Sequence, residues 1–181
     1  ARMTSGMITN ALMTGKMIPQ ATMLSSQQVS YVSDYLSEAA VVDDSWIEAM
    51  RCPANRRTPR LTAQPTVQAV GFDIRNRRNL SYAQAGLKPA DLANMEVAWV
   101  VGFPGVVTMR SQAAVVGNSI FLPVGENKNR VFAFDISDKA KTCIQWVWAG
   151  ERTIRTSAGY GVRKDGKKVI MVGDMGAYIH M

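Results

Sequence analysis

From Glu96 onward the apolar and polar positions alternate in short runs. "EVAWVVGF", "SQAAVVGNSIFLPVG", "RVFAFDI", "CIQWVWAG" and "KKVIMVGD" are separated by Gly, Asn, Asp and Lys, and this pattern predicts strands joined by turns. Nearer the start the spacing is helical. In "MLSSQQVSYVSDYLSEAA" Val29, Val32 and Leu36 recur every three or four residues, with Tyr31 and Tyr35 along a neighbouring line, so one stripe should be buried. Ser25 and Gln28 form a Ser-x-x-Gln capping box for that helix. "GMITNALMTGKMIP" reads as a shorter helix stopped around Gly15, with Pro19 preventing its resumption. The stretch from about Val41 to Ala69 holds Pro53, Pro59, Pro65 and several Arg and Thr without periodicity, and reads as a linker. Trp46 is its one large apolar residue, expected to dock on a neighbouring domain.

The stretch "RVFAFDISDKAKTCIQWVWAG" is predicted to be a hairpin. Val131 to Asp135 alternates, a Lys-rich turn follows, and Ile144, Trp146 and Trp148 are expected on one face of the second strand. The pattern also repeats. Trp99 falls on Trp146 at a spacing of 47, Arg110 on Arg155 at 45, Val124 on Val172 at 48, and Phe132 on Ile179 at 47. A period in the high forties with about four strands per unit is the signature of a propeller blade. The predicted fold is mainly β with a small α segment, holding about two four-stranded blades of a partial β-propeller. A blade cannot cover both of its faces alone, so Trp146 and Trp148 are expected to fill the space between neighbours. The second unit stops at "AYIHM", and two blades cannot close a ring of about 4–8, so the propeller is read as truncated.

Composition narrows the classes. With 47% apolar and 19% charged content, 181 residues can bury a sizeable core. No apolar run approaches the ~20 residues of a membrane helix, and the start has no signal-peptide order and no initiator Met. Both follow if Ala1 is not the true beginning of the gene product. The net charge of +7 sits in "NRRTPR", "DIRNRRN", "RKDGKK" and "ENKNR". These are turn and linker positions without interleaved aromatics or a basic helix, which points to a solvated basic surface and away from nucleic acid. Cys52 and Cys143 form no C-x-x-C, and His180 is the only histidine, so a structural zinc site lacks its ligands. The two cysteines are either one disulfide of an oxidising compartment or two buried thiols, and buried thiols are the preferred reading.

Taken together, these stretches resemble the quinoprotein alcohol dehydrogenases built on a pyrroloquinoline quinone (PQQ) type propeller, especially the polyvinyl-alcohol-dehydrogenase-like quinohaemoproteins. That family's outer hairpin carries a signature like Ala-x-Asp-x-x-x-Gly-x-x-x-Trp. Ala133, Asp135 and Trp146 match it, although the turn "ISDKAKTC" is longer and lacks the glycine. "DIRNRR" resembles the family's Asp-x-x-Asn-x-Arg through Asp73, Asn76 and Arg78, and "AGLKPADLANMEVAWVVGFPG" its approach to the first blade. "GKMIPQATMLSSQQVSYVSDYLSEA" resembles the last third of a class I cytochrome c. The resemblance implies that Met17 is an axial haem-iron ligand, with Met23 as the substitute, against the plainer reading that most of the eleven methionines simply pack. The C-x-x-C-H that binds haem c covalently is absent and is inferred to lie upstream of Ala1.

Residues 1–40 are accordingly read as the C-terminal part of a cytochrome c-like domain, 41–70 as linker, and 71–181 as the first blades. The family places its quinone on the propeller axis. Planar arginine suits the three carboxylates of PQQ, which makes Arg155 in "IRTSAG" the leading cofactor-binding candidate, with Thr156 and Arg110 behind it; structural ion pairing is the plainer role for each. The catalytic base and the Ca²⁺ carboxylate are expected in later blades. His180 is read as a packed or surface residue, and Asp174 and Asp135 as turn formers. The resemblance implies a fragment of a periplasmic or secreted enzyme that oxidises an alcohol at PQQ and passes electrons through haem c to an external acceptor such as a cytochrome, with no activity in the fragment alone. A non-catalytic propeller scaffold is the rival, and an electron-transfer cytochrome with a sensory propeller is a second.

Overall fold

A computed structural model describes residues 3, 5–37, 44–104, 106, 109–125 and 129–181. The boundary expected at 40/41 lies outside these residues. The chain divides into two units, Ala1–Asp43 and Asp44–Met181.

The first unit holds α1 (Ser5–Met13), α2 (Ile18–Ala21) and α3 (Ser26–Ser37). Ile8, Leu12, Ala21 and Val29 form its core, with Leu24 and Val32 against them. The capping box of α3 is present. The Ser25 N–H donates to Gln28 Oε1 at 2.8 Å, and the Gln28 N–H donates to Ser25 Oγ at 3.2 Å. Pro19 lies in the first turn of α2, where a missing N–H costs nothing, so it opens a short helix rather than preventing one. The buried stripe of α3 is also narrower than its spacing predicts. Val29 and Ser33 are buried, whereas Tyr31, Tyr35 and Leu36 are exposed.

The second unit holds two antiparallel sheets. The first runs β1 (Pro65–Val67), β2 (Ala114–Val116), β3 (Ser119–Val124), β4 (Arg130–Asp135) and β5 (Cys143–Ala149), each strand beside the next. The second runs β6 (Gly159–Val162), β7 (Lys168–Gly173) and β8 (Ile179–His180) in the same order. The strands therefore recur as the repeat does. Val124 and Val172 end β3 and near-end β7, and Phe132 and Ile179 lie in β4 and β8. The turn between β2 and β3 is two residues long and needs its glycine, since Gly117 sits at φ +56. β1 and β6 escape the sequence pattern because one is a three-residue piece of a Pro-rich stretch and the other carries two glycines.

Each face of the first sheet has a cover. On one face Ala114, Val116, Phe121, Val131 and Ala133 meet Ile154, Ala158, Tyr160 and Val172 of the second repeat, with Trp146 and Trp148 packed against them. The paired tryptophans are half-buried between the sheets and line a groove there, so they fill that space only in part. On the other face Val124, Phe132, Phe134 and Ile144 meet Ile47, Trp46 and Met50 in and beside α4 (Ser45–Ala49), together with Phe103 and Val106. Trp46 stacks on Phe132 at 5.6 Å between ring centroids. It docks on the sheet of its own unit.

A β-bulge separates the two tryptophans from their expected companion. Ala133 faces Trp146 and Phe134 faces Ile144, which leaves Gln145 unopposed. Past the bulge the alternation resets, so Ile144 lies on the opposite face from Trp146 and Trp148. The Gln145 side chain is buried and satisfied: its amide donates to the Arg56 carbonyl at 3.1 Å, and its oxygen accepts from Ser119 Oγ at 3.1 Å.

The stretch around α4 does more than connect. The Ile144 N–H donates to the Met50 carbonyl at 2.8 Å and the Cys52 N–H to the Ile144 carbonyl at 2.9 Å, which covers the outer edge of β5. This pairing sets Cys52 and Cys143 with Cα atoms 4.9 Å apart and joined by a disulfide, within the range such a bond requires. The preferred reading of two buried thiols is therefore replaced by a cross-link.

"EVAWVVGF" forms no strand. Every residue from 81 to 100 is exposed, α5 (Tyr82–Ala85) included.

Candidate functional site

Three segments of the second unit converge at one end of the sheets. The Gln112 N–H donates to Ser157 Oγ at 2.7 Å, its carbonyl accepts from the Ala158 N–H at 3.1 Å, and its side-chain oxygen accepts from the Gly71 N–H at 3.1 Å. Beside this knot the Tyr160 N–H donates to the Gln68 carbonyl at 2.8 Å. Arg110 and Arg155 each lie two residues before this junction, on adjoining backbone, and both are exposed. The structure thus brings together the two stretches that carry them. Gln112 was missed as the link, yet a signal existed: Arg110-Ser111-Gln112-Ala113 and Arg155-Thr156-Ser157-Ala158 repeat an Arg-Ser/Thr-x-Ala pattern.

Thr156 has a structural task. Its hydroxyl donates to the Gly173 carbonyl at 3.0 Å and accepts the Gly173 N–H at 2.7 Å, which fastens the Arg155 segment to the end of β7. Ile154, just before it, bridges to Asp174. A Cβ on Gly125 would sit 2.0 Å from the Ile154 carbonyl oxygen, so this approach of the two repeats requires glycine.

The loop after Gly71 is tightly wound. Asp73 Oδ1 accepts the Arg75 N–H at 2.9 Å and its Oδ2 accepts Arg77 Nε at 2.6 Å. Partial burial works against the charge on Asp73, but these hydrogen bonds outweigh it and hold the carboxyl below its usual range. Arg78 Nε donates to Asn76 Oδ1 at 3.1 Å, and the Arg78 N–H closes on the Gly71 carbonyl at 3.1 Å. Phe72, Asn76 and Arg78 all have positive φ, at 79, 51 and 53, a conformation costly for side-chain-bearing residues. The three matching positions of "DIRNRR" thus build one self-bonded loop, anchored through Gly71 to Gln112.

Asp174 and Asp135 organise their turns. Asp174 Oδ1 accepts the Gly176 N–H at 2.8 Å and the Tyr178 N–H at 3.0 Å, while Oδ2 lies 2.9 Å from His180 Nε2. The His180 ring, followed by those backbone donors, holds the Asp174 carboxyl below its usual range against the effect of burial. His180 itself packs on Trp148, with ring centroids 4.9 Å apart. Asp135 accepts from Arg56 at 2.8 Å and from the Ser137 N–H at 2.7 Å. Among the described residues no cluster of three His, Cys, Asp or Glu side chains is placed to hold a metal ion.

In the helical unit Met17 precedes α2, is exposed, and donates its N–H to the Ala11 carbonyl at 3.0 Å. Its thioether is outside the core of that unit. Met23 is also exposed, at 92%.

No family model matches the chain. Over 161 residues it is 24% identical to polyvinylalcohol dehydrogenase from Sphingopyxis sp. (strain 113P3), a match that covers 81% of this chain and 23% of that protein. The chain spans less than a quarter of that relative's length. The similarity supports a distant, dehydrogenase-like relationship.

Proposed function

We propose that this chain is part of a quinohaemoprotein alcohol dehydrogenase, carrying the end of a cytochrome c-like domain and the first two blades of a PQQ-type propeller. The observation that carries the proposal is the similarity to a polyvinylalcohol dehydrogenase across 81% of the chain, falling on two sheets whose strands recur with the period of the repeat. Bound PQQ with Ca²⁺ supplies the two-electron oxidation of the alcohol, and haem c the path to an external acceptor such as a cytochrome. Arg155 and Arg110 would hold carboxylates of a bound quinone, a task suited to planar, permanently charged groups. Thr156 positions Arg155 through Gly173, and Gln112 keeps the two arginine segments in register. The Met17 thioether would hold the iron of a bound haem, and a thioether ligand would raise its potential. The base that takes the alcohol proton is assigned to blades outside this chain.

The disulfide supports a periplasmic or secreted location, because such bonds persist in oxidising compartments. Among the described residues no helix is long and apolar enough to cross a membrane.

The test is alcohol-dependent dye reduction by the whole gene product loaded with PQQ and Ca²⁺, with polyvinyl alcohol tried first. Turnover that Arg155→Gln weakens together with PQQ affinity supports the proposal. PQQ-independent behaviour with no oxidation of any alcohol would favour the scaffold, and haem reduction without alcohol the sensory cytochrome.

A further inference from the structure

Arg110 precedes β2, and at the other end of that strand lies a cavity of about 330 Å³. Two walls form it. One is the strap of residues 55–63, and the other is the β2–β3 turn together with Ser119, Asp135 and Ser137. Both walls are held in place by the protein itself. Cys52, just ahead of the strap, is fixed by its disulfide, and Arg57 Nε donates to the Cys52 carbonyl at 2.9 Å. Farther along, Leu61 packs against the core between the sheets while its carbonyl accepts from the Lys168 ammonium. Across the cavity the Ile136 N–H donates to the Asn118 carbonyl at 2.9 Å. The site is therefore preformed.

The buried charges of the cavity cancel. Arg56 donates to Asp135 at 2.8 Å, with the two side chains 20% and 11% exposed. What remains is a set of exposed polar side chains, Asn55, Thr58, Thr62 and Asn118, together with Arg60. Among the described residues none of these five side chains has a hydrogen-bond or ion-pair partner. Their chemistry selects the ligand. Hydroxyls and primary amides each donate and accept, and a ligand hydroxyl does the same, so it can be met in both senses. Sulfate or phosphate only accepts, and would face the amide oxygens of Asn55 and Asn118 unanswered. No aromatic ring is among the described lining residues, so a sugar ring finds no flat face to stack on. The apolar atoms on offer are the Ala63 methyl and the threonine methyls, which suit a thin aliphatic backbone.

We propose that this cavity binds an acyclic polyol, a short aliphatic chain bearing hydroxyl groups. Thr58, Thr62, Asn55 and Asn118 exchange hydrogen bonds with those hydroxyls, and the planar fork of Arg60 donates to two neighbouring oxygens. The volume is at the small end of ligand sites, which fits a segment of a few carbons. A free sugar alcohol and a stretch of a hydroxylated polymer share this chemistry. The inference rests on the lining of the cavity and not on the redox proposal.

The test is proton–nitrogen correlation NMR of the 181-residue chain, titrated separately with sorbitol, a short vinyl-alcohol oligomer, maltotriose and sulfate. The expected result is saturable shifts at the amides of residues 55–63, 117–119 and 135–137 with sorbitol, the oligomer or both. Sorbitol alone marks a sugar-alcohol site, and a response to the oligomer marks a polymer anchor. Asn118→Ala combined with Thr62→Val should raise the half-saturating concentration about tenfold while the rest of the spectrum stays in place. Arg155→Gln should leave that concentration unchanged. Silence at those amides with both acyclic probes overturns the inference. So does tighter binding of maltotriose or sulfate, or polyol binding that the double variant leaves intact. These readouts need neither quinone nor haem, so this inference and the redox proposal fail separately.

Discussion

Cys143 opens β5 and is bonded to Cys52, 91 residues away in sequence, with the Cα atoms 4.9 Å apart. The bond holds the α4 segment along the outer edge of the first sheet. In the chain-entropy account a loop of this size destabilises the unfolded state by about 4–5 kcal/mol. Reductant, or the double change Cys52→Ala with Cys143→Ala, should therefore lower the urea midpoint of the second unit markedly. An unchanged midpoint would mean that the hydrogen bonds from Met50 to Cys52 suffice without the cross-link.

Gln145 is the second point of attachment. Gln145→Leu removes the partner of the Arg56 carbonyl and of Ser119 Oγ, and an unpartnered buried group costs about 1–3 kcal/mol. Urea denaturation should show a loss in that range, with Gln145→Glu also harmed because it cannot donate to a carbonyl. A neutral Gln145→Leu would show that the bulge needs no polar tie.

Acid should loosen the same corner. Burial disfavours the Asp135 charge, but Arg56 and Ser137 more than compensate and hold its carboxyl below the usual range. A carboxyl lowered in the folded state contributes stability that is present above its unfolded pKa and lost as pH falls through the folded one. Stability measured from pH 7 downward should decline below the ordinary aspartate range, and Asp135→Asn should flatten that decline while lowering stability at pH 7. The Asp135 side chain is 11% exposed, so the hydrogen-bonded charge contributes about 1.5–3 kcal/mol. An identical pH slope in Asp135→Asn would assign the acid sensitivity elsewhere, with the lowered Asp174 as the next candidate.

Met17→Leu removes the thioether while keeping the volume. In the haem-loaded gene product it should lower the haem potential and alter the absorption of the oxidised form, since a thioether ligand raises potential. Unchanged spectra and potential would pass the ligand role to Met23 or elsewhere.

Much of this was legible in the sequence, for reasons that explain the rest. Alternation found β3, β4, β5 and β7 because each buries alternate residues against a fixed partner. The spacing between Trp99 and Trp146 found the repeat but not that Glu96–Gly102 lacks a sheet, because a strand's pattern records the face it prefers and not whether a neighbour is present. Ile144 was placed with the tryptophans since nothing local marks a bulge at Gln145, whose partners Arg56 and Ser119 are remote in sequence. The disulfide stays the less favoured of two sequence readings for the same reason, since Cys52 and Cys143 are 91 residues apart. At the candidate site chemistry alone singles out the arginines as candidates, whereas Gln112 acts through backbone and amide contacts that no residue type announces.

The most direct measurement is the nucleotide sequence on both sides of this reading frame. The account predicts a C-x-x-C-H motif upstream and further tryptophan-bearing repeats downstream, which would supply the haem attachment and the missing blades. A stop codon directly after Met181 with no haem motif upstream would contradict the quinohaemoprotein assignment.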